Sequence, residues 1–254
     1  IALTELSVPL LKGAPRDEMA LAFKFLKPDW TLDLDIEPIQ PVVNALATSR
    51  VELSSTVEYT TARVQYEIRQ AGIDTFYLEL PAGARAVEIE GQHIKERSPI
   101  DALPAAEGAE GVEAARDAER PIWRVVLQKK IKPKYGLTVS FERALGAGTQ
   151  DKRARVSYEG VKALRVQREE GYVVLAARTN VEVEPPKIDK AYPVDPSQIP
   201  DQSLVLQGAP AIWACQYMAH PYSLTLDVIK HEDVEVITAV ANLAWFETVV
   251  ARDG

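Results

Sequence analysis

Alternation of apolar and polar residues with a period of two is the pattern that most narrows what this chain can fold into. In Thr31–Ile36, Leu32, Leu34 and Ile36 fall on one side and Thr31, Asp33 and Asp35 on the other, as in a strand with one face buried. The same period recurs in Thr75–Leu80, in Trp123 with Val125 and Leu127, and in Tyr135, Leu137, Val139 and Phe141. Turn residues separate these runs. Leu80-Pro-Ala-Gly83, Lys134-Tyr-Gly136 and Leu145–Gly148 read as turns, and Gly91-Gln92 is expected to close a two-residue hairpin with glycine first. Short alternating strands with tight punctuation predict an all-β fold of antiparallel sandwich units rather than βαβ units.

Two stretches break the pattern. Residues 101–120, rich in Ala and Glu but interrupted by glycine, predict a short helical or irregular insertion. Five prolines between 185 and 200 predict a stiff connector over 185–201 with neither strand nor helix.

The beginning of the chain resembles its end. Leu11-Lys-Gly-Ala-Pro15 matches Leu206-Gln-Gly-Ala-Pro210, Trp30–Ile36 matches Tyr222–Val228, and Val42–Ala47 matches Val236–Ala241. Trp30 and Tyr222 share parity with the inward leucines and are expected to cap a core, with Asp35 and Asp227 outside. Pro28 and Pro221 read as a shared strand-opening device. The expected organisation is therefore a sandwich unit over 1–149 carrying the Ala/Glu-rich insertion. A second unit over 150–254 partly repeats residues 1–50. Because the copies flank a middle segment with only partial counterparts, the chain is expected to continue on both sides in a longer array.

Composition restricts the chemistry. Against 29 basic residues stand 37 acidic ones, for a net charge of −8, which repels a phosphate backbone and argues against nucleic acid as a partner. Lys129, Lys130, Lys132 and Lys134 read as a solvated strand end. Cys215, the one cysteine, excludes an intrachain disulfide and a thiolate cluster, and its apolar surroundings read it as a buried small hydrophobe. No run of about 18 apolar residues is present, so this stretch is not expected to insert into a membrane, and its opening residues do not read as a signal peptide.

Candidate chemistry is sparse. His93, His220 and His231 stand at no metal-ligand spacing. The repeat sets His220 opposite Lys27, which reads that position as surface, and His231-Glu-Asp233 reads as a solvated turn. Nucleophile elbow, phosphate loop, EF-hand loop and CxxC are all missing. No catalytic, cofactor-binding or metal-ligating residue is assigned, and the chain is read as a non-enzyme. Among Tyr59, Tyr66, Tyr77 and Trp213, the two candidate ligand-facing aromatics are Tyr77 and Trp213, which exposed on a sheet face would stack on a sugar ring. The primary reading is a non-catalytic structural or protein-interaction module, and the alternative is a carbohydrate-binding sandwich.

Residues 20–32 and Tyr217–Leu226, together with Phe76–Ala84 and Val87–Gly91, resemble the repeated β-sandwich segments of large, uncharacterised bacterial cell-envelope proteins. The resemblance covers most of the chain through short, mostly structural motifs. It implies a periplasmic or extracellular parent whose partners are neighbouring repeats or other proteins, and it supplies no catalytic residues.

Overall fold

A computed structural model describes residues 29, 31–33, 35, 39–104, 120–145, 153–178 and 180–231. The chain divides into two compact units, Ile1–Ile39 and Gln40–Gly254. The described residues of the first unit have no regular secondary structure, and Leu32 is 45% exposed. The strand expected over Thr31–Ile36 is thus not formed at its described positions, while Trp30, Leu34 and Ile36 lie outside the described residues. Alternation states which face a strand would bury, but a strand also needs a neighbour for its amide and carbonyl groups.

The second unit is a β-sandwich. It opens with a long hairpin, β1 (Val42–Leu53) and β2 (Val57–Arg69), and continues through β3 (Ile73–Glu79), β4 (Arg85–Gly91), β5 (Ile94–Ile100), β6 (Ile122–Ile131) and β7 (Lys134–Ala144). Then come β8 (Arg153–Tyr158), β9 (Lys162–Leu164), β10 (Arg168–Ala177), β11 (Val181–Val183), β12 (Lys187–Asp189) and β13 (Ala191–Pro193). A one-turn helix α1 (Gln202–Val205) precedes β14 (Ala211–Tyr217) and β15 (Ser223–Lys230). One sheet runs β13-β14-β10-β1-β2-β7-β4. A second runs β5-β6-β3-β9, and in a third β15 pairs with β8, β11 and β12. The chain changes sheet at most of its connections, and the sheets share one continuous core that includes Ala47, Val64, Leu78, Val125, Val139, Tyr158, Leu175 and Leu226.

Several expected strands are present with the expected faces. Phe76, Leu78 and Leu80 are buried, as are Val125 and Leu127, and the whole inward row Tyr135, Leu137, Val139 and Phe141. Tyr222 caps the core beside Leu224, Leu226 and Val228. Among the described pairings only β1 with β10 is parallel; the two are separated by a path through the other sheets long enough for such a crossover.

Other expectations are corrected. Gly91 does not close a hairpin: β4 pairs with β7 and β5 with β6, in different sheets. Its glycine serves close approach instead, since a β-carbon there would stand 2.6 Å from the Tyr135 hydroxyl and 2.8 Å from Leu137 Cδ2. Lys134-Tyr-Gly136 begins β7 rather than making a turn. The boundary expected at 149/150 falls within one sandwich, because β10 and β14 are hydrogen-bonded into the same sheet as β1, β2 and β7. Residues 105–119, which hold most of the expected insertion, lie outside the described residues, as does Val236–Ala241.

The proline-rich stretch is also more ordered than its composition suggests. It supplies β12, β13 and a 3-10 turn at Pro196–Gln198, and α1 follows it; the turn and α1 lie over the outer face of the large sheet. There Ile199 and Val205 join Val174 and Ala214 in a second small core. Arg50, pointing away from the main core, donates to the Val205 carbonyl at 2.8 Å and to that of Ala209. Asp201 caps α1 by accepting the Leu204 N–H at 3.2 Å and takes Arg63 Nη1 on both oxygens at 2.9 and 3.0 Å.

Two measurements check this account. Gly171→Ala drives a methyl into the Ala47 carbonyl oxygen across the β1–β10 pair, whereas Gly136 has nothing within 4 Å. Urea unfolding is expected to show a loss of more than about 2 kcal/mol for the first and little change for Gly136→Ala. Burial tends to raise the Asp201 carboxyl, but Ser203, Arg63 and the Leu204 amide together hold it below its ordinary 3.8. Its folded value is depressed, so its contribution is present above pH 3.8 and fades as pH falls below it. Asp201→Asn is expected to cost about 1–2 kcal/mol at neutral pH, and the gap from wild type should close on acidification.

Candidate functional site

Strand β10 places Gly171, Val173 and Leu175 toward the core, and Glu169 shares their parity. A carboxylate on an apolar face must find donors there, and it finds three. Glu169 Oε2 accepts the Ala163 N–H at 2.7 Å, and Oε1 accepts the Tyr217 hydroxyl at 3.0 Å and stands 2.8 Å from His220 Nε2. A carboxylate only accepts, so the proton His220 can offer it is the one on Nε2. The imidazole lies against two rings, 5.1 Å from Tyr217 and 4.9 Å from Tyr222, which are themselves stacked at 4.0 Å. These groups, the backbone N–H of Ala163 among them, come from β9, β10, β14 and the turn into β15, so the cluster ties four parts of the chain together.

The tyrosines are not poised as bases. Burial raises the Tyr217 and Tyr222 phenols well above 10, with Glu169 adding to both. Tyr158, raised by burial as well, and Tyr222 have hydroxyls without a hydrogen-bond partner, although Ser49 and Thr60 lie close to Tyr158. A Glu–His pair acts in nucleophilic catalysis only when the second ring nitrogen serves a nucleophile. Among the described residues, the hydrogen bonds of His220 reach Glu169 and no Ser, Thr or Cys. Cys215 is fully buried and its thiol is pushed up to about 12 by burial, so it is not a thiolate at neutral pH.

A second inward carboxylate begins β2. Glu58, wholly buried, accepts from Thr60 Oγ1 at 3.2 Å and from Arg143 Nε and Nη2 at 3.2 and 2.6 Å. Burial pushes its carboxyl up and Arg143 pulls it back. Arg143 also donates to the Ser157 carbonyl at 2.8 Å, linking β7 of the large sheet to β8 of the third.

The candidate aromatics are placed differently from expectation. Tyr77 is only 7% exposed, and the Arg165 guanidinium covers its ring 4.7 Å from the centroid, so it presents no open face. Tyr66 is buried beside Phe76, and Tyr59 lies under Arg178. Trp213 is half-buried and packs on the main core. The structure does not bring Tyr77 and Trp213 together: one is on β3 of the second sheet, the other on β14 of the first.

A shallow depression of about 510 Å³ lies along β4 and β5, lined by Glu90, Gly91, Ile94, Lys95, Glu96 and Arg97. Its charges are of both signs, and it lacks the apolar lining usual for a small-molecule site. Among the described residues no group of three or more His, Cys, Asp or Glu side chains is placed to hold a metal ion, and no helix is long and apolar enough to cross a membrane. His231 is exposed beside Glu182, and His93 is exposed in the turn after β4.

Sequence reasoning missed Glu169 and Glu58 and took His220 for a surface residue. The signal was available in the parity of the two glutamates, each in step with a row of inward apolar residues. Compared with known proteins, the chain matches no family model and no curated protein.

Substitutions at His220 and Tyr217 test the role of this cluster. Unfolding free energies are expected to fall by about 3 kcal/mol for His220→Ala and by about 1 kcal/mol for Tyr217→Phe. His220→Lys should retain more stability than His220→Ala, because an ammonium can still pair with Glu169. Equal losses for Ala and Lys would show that packing alone matters there.

Proposed function

We propose that this chain is a non-catalytic structural or protein-interaction module of a larger, internally repeated bacterial envelope protein that works in the periplasm or outside the cell. One observation carries the reading. The repeated motif, in its second copy Tyr222–Val228, is a core strand whose Tyr222, Leu224, Leu226 and Val228 are all buried. In this copy the motif is framework, not a set of surface groups aimed at a ligand. The arrangement of the two buried carboxylates supports the same reading, since Glu169 joins strands of different sheets, Glu58 does so through Arg143, and both have their donors within the protein.

The carbohydrate-binding alternative draws no support from Tyr77 beneath Arg165. The discriminating experiment assays the whole chain against ester, phosphate and glycoside substrates and for binding to a glycan panel, with Glu169→Gln and Trp213→Ala alongside. Flat results are expected throughout. Turnover abolished by Glu169→Gln, or glycan binding abolished by Trp213→Ala, overturns the proposal in favour of an enzyme or a lectin-like module.

A further inference from the structure

The tip where β6 turns into β7 carries the densest run of positive charge in the chain, and the fold sets that run outside the ladders. In the pairing of β3 with β6, Thr75 faces Val126 and Ile73 faces Ile131, so two steps along β3 span five along β6. With Leu127 turned into the core, the surplus residues are Gln128, Lys129 and Lys130, all exposed. They form a bulge, which re-aims side chains away from a sheet. The Gln128 N–H is held by the His93 carbonyl at 2.9 Å, while Lys129 and Lys130 enter no described pairing. Lys132 and Lys134 follow in the turn and at the start of β7, both exposed. Ile131, which packs on the main core, anchors the tip.

Lysines in sheets often keep an edge strand from pairing with another chain. That does not account for these four, because β6 lies between β5 and β3, and β7 between β2 and β4. Nor do they neutralise carboxylates. Among the described residues, every ion pair takes an arginine or a histidine as its cation. Glu67 stands across from Lys134 in register, but Arg69 Nη2 holds its carboxylate at 3.0 Å. Asp74 accepts the Thr75 hydroxyl at 3.0 Å, and Lys132 Nζ donates to the Gln70 carbonyl at 2.6 Å. Over residues 67–74 and 128–135, five cations stand against two carboxylates, in a chain whose net charge is −8. Crowded like charges repel one another, and the countercharge that would relieve this tip is not supplied by the described residues.

We infer that the β6–β7 tip is an electrostatic docking surface for a phospholipid bilayer with anionic headgroups. The ammonium groups leave the bulge, the turn and the start of β7 in succession, and none of the four lines the depression along β4 and β5. A basic cluster that does not converge on one anion fits an extended anionic surface. Lysine suits phosphate as an undirected point charge, whereas the arginine fork selects carboxylates, and arginines serve the internal pairs here. No exposed large apolar side chain lies among residues 67–74 or 128–135. Contact is therefore by charge without insertion, and salt screens it. The net negative charge of the chain is repelled by the same headgroups, which orients the molecule with this tip toward the bilayer. One copy suffices, so the contact stands whether or not the unit is repeated.

The test measures partition of the whole chain onto sedimented vesicles of phosphatidylcholine, alone or with about 30% phosphatidylglycerol, at about 0.05 M and about 0.5 M salt. Binding is expected only to the anionic vesicles and only at the lower salt. Lys129→Gln, Lys130→Gln and Lys134→Gln should each lower the partition coefficient about fivefold, and all three together about a hundredfold. Lys162→Gln, Lys187→Gln and Lys230→Gln, on β9, β12 and β15, change the net charge equally and together should cost less than about fivefold. The lipid and salt arms use the unaltered chain, so they decide the matter even if a variant fails to fold by circular dichroism. Absence of binding to anionic vesicles, binding that the higher salt leaves intact, or equal losses for the two triple variants overturns the inference. Capture by immobilised polyglutamate without binding to vesicles also overturns it, and assigns the tip to an acidic protein segment.

Discussion

The sandwich depends on the hydrogen-bonded ribbon formed by β1 with a neighbour on each side. β2 pairs with it along its whole length in antiparallel register, and β10 pairs with it in parallel from Asn44 to Leu53. A strand bonded along both edges and covered on both faces cannot move without breaking ladders that have no water to replace them. The close fit of Gly171 against the Ala47 carbonyl shows how little room there is at this seam. β7 and β4 extend the sheet from β2, β14 and β13 extend it from β10, and the proline-rich segment closes over its outer face.

Around that ribbon, buried charge fixes which sheet faces which. Apolar packing is non-directional and would tolerate a slide of one sheet over another, whereas a buried carboxylate tolerates only the arrangement that brings its donors. Glu169 requires β9, β14 and the turn after it; Glu58 requires Arg143, which also holds β8. Such groups add little to net stability, because desolvation opposes the attraction, but removing one partner leaves an uncompensated charge. Their value here is in register and pairing.

Much of this was legible in the residues. The strands at Thr75–Leu80, Trp123–Leu127 and Tyr135–Phe141 announce themselves because one buried face imposes a period of two, and Cys215 lies as deep as its neighbours imply. Thr31–Ile36 and Tyr222–Val228 show where that reasoning stops. The two have nearly the same pattern, yet only the second lies beside β8, β11 and β12 and becomes a strand at its described positions. Gly91 reads locally as a hairpin, but the decisive contact, Tyr135, comes from more than forty residues away. His220 reads as surface from its match to Lys27, and only the fold brings Glu169 beneath it.

Sequence alone thus determined the all-β class, the inward face of the main strands and the lack of a recognisable catalytic motif. These follow from local sterics, solvent and spacing, which are written along the chain. Tertiary structure alone decided that one sandwich straddles residue 150, that β1 and β10 run parallel, and that Tyr77 is covered. Those depend on which distant groups share a hydrogen bond or exclude water together, and no local pattern of residues encodes a partner's address.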